Sequence, residues 1–143
     1  MILKNMFLSE AAILNPDNTF SVLKGGANIF NLTVPQDVPV SNLPIRMALL
    51  STLELEVTEM GRLHNAEVIL MDADGRRIIP EIRNHFQPAI SSQKGYHNLL
   101  IDLVVSFPRA GVYCFYINVD GHELGALPFT VVFHSQQPSQ AVE

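Results

Sequence analysis

With 143 residues, 48% hydrophobic and only 16% charged, the chain is long enough for one domain whose core needs no metal or disulfide staple. A net charge of −5 and nine Lys and Arg residues leave no basic footprint, which argues against nucleic acid and an anionic membrane surface as partners. The single cysteine, Cys114, excludes an intramolecular disulfide.

The first ten residues lack a basic region, an apolar run and a small-residue cleavage site, so no secretory signal is expected there. Residues 2–14 run into Asn15-Pro16-Asp17-Asn18, a turn in which Pro16 presets φ and the Asn and Asp side chains can bond their own backbone. A short strand over 19–23 follows, so the first two segments read as a hairpin. A helix over 9–14, favoured by Glu10-Ala11-Ala12, ranks second because so short a segment does not stand alone. Gly25-Gly26 breaks the chain, and 27–34 forms a strand with less regular alternation. Pro35, Pro39 and Pro44 each remove a ladder donor, which makes 35–44 an extended crossover or edge covering between two sheets.

Residues 45–57 alternate with period two: Met47, Leu49, Leu53, Leu55 and Val57 face inward, opposite Ala48, Thr52, Glu54 and Glu56. In 66–71 the inward residues are Ala66, Val68 and Leu70. Asp72-Ala73-Asp74-Gly75 is a hairpin turn, and 76–83 returns as a short strand that Pro80 places at an edge. Residues 84–94 read as a polar loop. Over 96–107 the inward set is Leu99, Ile101, Leu103, Val105 and Phe107, and in the next strand it is Tyr113, Phe115, Ile117 and Val119. The Asn118-Val119-Asp120-Gly121 turn leads to a last strand with Phe129, Val131 and Phe133 on one parity. From Gln136 the chain is polar and expected to fray. The expectation is one domain over 1–135 with a tail over 136–143. Eight or nine short strands, regular turn signals and no long helical pattern predict an all-β fold, a single antiparallel β-sandwich.

Pro108-Arg109-Ala110-Gly111-Val112-Tyr113 holds the ingredients of a tyrosine corner, where the chain bends between sheets and the tyrosine hydroxyl returns to a backbone group. This segment, Asn15-Pro16-Asp17-Asn18, Gly25-Gly26, Asp72-Ala73-Asp74-Gly75 and Leu127-Pro128-Phe129-Thr130-Val131 together give the chain a likeness to known sequences. It resembles, over nearly its whole length, a family of small bacterial proteins known only as a domain of unknown function. That resemblance implies a bacterial origin and an immunoglobulin-like sandwich of eight to nine strands, and it implies no chemistry.

The chemical motifs are few. Asp72-Ala73-Asp74-Gly75 begins like a calcium loop, but position 83 is Arg where a closing Glu belongs, so a plain turn is the better reading. Asp120-Gly121-His122-Glu123 could hold a metal weakly, yet polar residues at a hairpin tip need only solvation to explain them. The five histidines show no His-x-His or His-Glu-x-x-His spacing, and there is no Gly-x-Ser-x-Gly elbow. Cys114, in an apolar strand without a basic neighbour, is expected to be a buried, inert thiol. Gly25-Gly26 lacks the Lys and Ser or Thr of a phosphate loop.

One constellation stands out: Leu50, Ile69, Met71, Leu100, Val104, Val112 and Tyr116 all fall on outward parities, where a sandwich in water carries polar side chains. They form either an exposed apolar interface or a face covered by the proline-rich segment or the terminal residues. Two functional readings follow. The preferred one is a non-catalytic, cytoplasmic protein-interaction or self-association module, partnered by another protein or by its own copy, with no cofactor, catalytic residue or metal site. The second is a small ligand- or sugar-binding module or metal-dependent hydrolase, with a loop-end site built from His64, His85, Asp120, His122 and Glu123.

Overall fold

The computed structural model describes residues 1–37, 39 and 43–135. Ten strands follow in order: β1 (Ile2–Ser9), β2 (Ala11–Leu14), β3 (Phe20–Leu23), β4 (Ile29–Val34), β5 (Ile45–Leu55), β6 (His64–Asp72), β7 (Ile82–Phe86), β8 (Gly95–Val105), β9 (Gly111–Val119) and β10 (His122–Ser135). A single 3-10 turn, Val57–Glu59, is the one helical element among the described residues. The strands make a three-stranded sheet, β1-β5-β8, a five-stranded sheet, β4-β10-β9-β6-β7, and a separate hairpin, β2-β3.

The all-β expectation is met, and the wholly antiparallel one is corrected. β4 runs parallel to β10, from the Ile29–Thr130 pair to the Val34–Ser135 pair, so the larger sheet is mixed. The cause is the route of the chain: β1 sits in the smaller sheet, the β2-β3 hairpin intervenes, and the chain then enters the larger sheet at its free edge. Three boundaries also differ. Val57 lies in the 3-10 turn and is exposed, because the alternation of β5 ends at Leu55. The chain after the Asp72–Gly75 turn makes only an isolated bridge, Met71 to Arg77, before the edge strand begins at Ile82. That strand reaches into the expected polar loop and buries Phe86. The expected tail, 136–143, lies outside the described residues, as do Val38 and residues 40–42 of the proline-rich crossover.

The core lies between the inward faces of the two sheets. Met47, Leu49, Leu53 and Leu55 of β5 and Leu99, Ile101, Leu103 and Val105 of β8 meet Val68 and Leu70 of β6 and Phe115 and Ile117 of β9. These are the inward parities that period-two alternation demands. At one end Tyr113 stacks on Phe129 and Phe107 meets both edge-on, with centroids 4.8 to 5.9 Å apart. The Tyr113 hydroxyl donates to the Arg109 carbonyl at 2.5 Å, so the tyrosine corner is present. Where β1 meets β10, a Cβ on Gly125 would lie 2.4 Å from the Leu3 side chain, so any larger residue at this bulge would require Leu3 to shift.

The hairpin explains part of the outward apolar set. β2 packs against β5 and β8, and Ala48 and Leu50, both on the outward side of β5, are fully buried. Phe20 meets Phe7 edge-on at 6.5 Å. A clamp fixes the tip: the Asn98 backbone N–H donates to Asn18 Oδ1 at 2.9 Å, and Asn18 Nδ2 donates back to the Asn98 carbonyl at 3.3 Å. The Asn18 amide thus imitates one rung of a ladder on the outer edge of β8. Asn98 Nδ2 returns a third bond to the Asn18 carbonyl at 2.6 Å, and Thr52 Oγ1 donates to Asn98 Oδ1 at 2.6 Å. Asn18 has φ +64, a left-handed conformation that Asn tolerates.

Candidate functional site

The residues of the expected loop-end site fall into three places. The β9–β10 turn puts Asp120 and Gly121 at φ +51 and +81, the geometry of a type I′ hairpin, and this aims the Asp120 carboxylate at the start of β6. There Asp120 Oδ2 lies 2.6 Å from His64 Nδ1, and Asp120 Oδ1 accepts the Asn65 backbone N–H at 3.0 Å. His64 Nε2 lies 2.7 Å from the Glu59 carbonyl oxygen in the 3-10 turn. His85 is bonded to the Asn65 side chain, one step away on β7. His122 lines a small depression with Asp120 and Glu59, whereas Glu123 lies on the outer face of the sheet with Ile69 and Tyr116.

Hydrogen-bond bookkeeping decides what His64 can do. Both ring nitrogens face acceptors, so both must donate, and the ring is satisfied only as the imidazolium. Burial pulls its pKa down, but the bonds to Asp120 and the Glu59 carbonyl outweigh burial and hold it above the ordinary histidine value. Burial pushes Asp120 up, and the bonds from His64 and the Asn65 N–H more than reverse this, leaving it below the usual carboxylate range. A ring with no free lone pair serves as neither metal ligand nor general base. His64 is a latch joining β6, the 3-10 turn and the β9–β10 turn. Behind it Phe86 stacks on His97 at 4.5 Å, and burial, followed by the charge of His64, lowers the His97 pKa. Among the described residues no three His, Cys, Asp or Glu side chains gather in a way that could hold a metal.

The outward apolar residues divide more tellingly. Leu50, Leu100 and Val104 belong to the three-stranded sheet; Leu50 is buried under the hairpin, Leu100 is half-buried and Val104 is 65% exposed. Ile69, Met71, Val112 and Tyr116 belong to the five-stranded sheet, and cross-strand pairing sets them in rows. Ile69 pairs with Tyr116 and Tyr116 with Ala126; Met71 pairs with Cys114 and Cys114 with Pro128; Val112 pairs with Thr130 and Thr130 with Ile29. Directly opposed residues share a face. The result is a continuous outer face on which Val112, Pro128 and Ile29 are exposed, Met71, Cys114 and Tyr116 half-buried and Ile69 buried between its neighbours, and over which no other described element packs. Cys114 is therefore half-buried on this face instead of buried in the core. The next row, Arg83, Glu67, Asn118 and Glu123, and Arg77 beside Met71, supply a polar rim of both signs.

Sequence parity alone found four of these seven residues, Ile69, Met71, Val112 and Tyr116. Ile29 was missed because nothing in the sequence signals that β4 pairs with β10, and Pro128 was missed although it lies on the parity opposite Phe129, Val131 and Phe133.

Residues 5–132 match a family of unknown function, DUF6941. The chain belongs to that family. No curated protein matches it. Membership brings no activity with it, and no helix among the described residues is long and apolar enough to cross a membrane.

Proposed function

We propose that this member of the family is an immunoglobulin-like sandwich that self-associates through the outer face of its five-stranded sheet, acting as a non-catalytic interaction module. The bare apolar patch around Tyr116 is the observation that carries the reading. A contiguous apolar patch rimmed by polar residues is the usual form of a protein interface. A second copy suits it because its rim carries both Arg77 and Arg83 and Glu67 and Glu123 around an uncharged centre. A rim of one sign would repel its own copy.

The immunoglobulin-like part rests on strand order. β10-β9-β6-β7 correspond to strands G-F-C-C′ of a variable-type domain and β1-β5-β8 to A-B-E, with the tyrosine corner at the start of F, where such domains carry it. A bacterial, cytoplasmic setting belongs to the same reading, supported by the family resemblance and by the one unpaired cysteine. Sedimentation velocity over a range of concentrations tests the function. A sedimentation coefficient that rises toward a dimer, and does not rise in Tyr116→Asp, supports it. A concentration-independent monomer overturns it.

A further inference from the structure

A cleft of about 410 Å3 opens beside the tyrosine corner, between the turn after β6 and the segment leading into β9, lined by Asp72, Arg76, Arg77, Ile78, Ser106, Pro108 and Arg109. We infer that it is a binding site for a dianionic oxyanion, the phosphate group of a phosphorylated small molecule or the paired carboxylates of a dicarboxylate.

Three of the nine Lys and Arg residues line this one cleft in a chain of net charge −5. Arg109 is held in place at both ends. Its carbonyl accepts the Tyr113 hydroxyl at 2.5 Å, and its Nη2 lies 2.6 Å from Asp74 Oδ2 and 3.5 Å from Asp72 Oδ2. The other guanidinium edge makes no hydrogen bond among the described residues. Arg76 and Arg77 are exposed and form no ion pair among the described residues, although the charge of Arg76 also acts on Asp72.

The carboxylate in the lining, Asp72, does not oppose an anion as an open charge would. Its Oδ1 accepts the backbone N–H groups of Arg76 at 2.8 Å and of Asp74 at 3.0 Å, and its side chain is only 8% exposed. The Arg76 N–H bond, which outweighs the cost of burial, keeps its pKa below the usual carboxylate range. Its charge is spent inside the turn, and Asp74 is spent on Arg109. The lining thus brings together Arg76 and Arg77, which have no ion partner among the described residues, Arg109 with one guanidinium edge unbonded, and Ser106, beside Ile78 and Pro108. Guanidinium forks match the paired oxygens of phosphate and carboxylate.

Backbone-amide NMR titrations with inorganic phosphate and with malonate test the site and separate the two sources of the anion. Saturable shifts confined to the residues around 72–78 and 106–109 are expected with at least one probe. Arg76→Ala should weaken binding at least tenfold, Arg76→Lys should weaken it several-fold because charge survives and the fork does not, and Arg62→Ala, remote from the cleft, should leave it unchanged. Shifts that never saturate, or an equal loss in Arg62→Ala and Arg76→Ala, would overturn the inference. Either result leaves the self-association reading untouched, since Arg76 lies outside the apolar patch.

Discussion

The two sheets present outer faces of similar apolar character and treat them in opposite ways. On the three-stranded sheet, Ala48 and Leu50 disappear under the β2-β3 hairpin, whose tip is locked to β8 by the Asn18 amide. On the five-stranded sheet, Val112 stays 52% exposed and Ile29 53% exposed, beside Tyr116 and Cys114, with no described element above them. One outward apolar residue is thus folding energy, and another of the same parity and chemistry is surface. An insertion between β1 and β4 covers one face, and among the described residues nothing comparable covers the other. Under the proposed self-association, a second copy of the chain covers the open face.

The sharpest way to break the comparison is to place a charge on each face. Leu50→Asp buries an unpaired carboxylate under the hairpin and should cost about 4 kcal/mol or more. Val112→Asp, exposed on the open face, should cost the monomer about 1 kcal/mol or less. Chemical denaturation of the two variants measures both. Equal costs would mean that the open face is covered after all.

A smaller effect is expected from loosening the cover. Asn18→Ala removes both bonds that its side chain makes to Asn98 and should lower stability by about 1–3 kcal/mol, together with faster hydrogen exchange along the freed edge of β8. Loss of stability with unchanged protection at the Asn98 amide would contradict the clamp.

The smallest effect separates the latch from catalysis. His64 has a raised folded pKa, so its stabilising contribution is complete below about pH 6.5 and fades as pH rises through the higher folded value. Asp120 has a lowered pKa, so its contribution is complete above about pH 4 and fades on further acidification. His97, with a lowered pKa, works against His64: its neutral form is favoured by folding, so it gains stability as pH rises. Comparison with Asp120→Asn cancels the part of the His97 contribution that comes from burial, its largest cause. The wild type should exceed this variant by about 1–2 kcal/mol in mildly acid solution, and the gap should narrow in alkaline solution, once pH has risen through the raised folded value of His64. Thermal melts at both pH values check it; a gap that widens with pH would place the proton elsewhere.

The sequence was most legible where local chemistry acts alone. Alternation identified the inward residues of β5, β8 and β9, and Asp120-Gly121 and Asp72–Gly75 announced their turns, because period and positive φ are written in neighbouring residues. Pairing between distant strands is not written that way. The parallel pairing of β4 with β10 joins residues about a hundred positions apart, and no local signal reports it. The same limit divided the candidate site. His64 and Asp120 could be suspected of converging, but the Glu59 carbonyl that occupies the second nitrogen, and turns a would-be base into a latch, is a backbone atom of a turn. Leu50 and Tyr116 read alike in the sequence, and only the placement of the hairpin tells them apart.

Cys114 supplies the most direct measurement, since it is the sole cysteine and sits within the open face. Its maleimide labelling rate should fall as protein concentration rises and should stay constant in Val112→Asp, because a second copy then shields the thiol in the wild type alone. A rate independent of concentration in both proteins would contradict the claim that this face is where the chain meets its own copy.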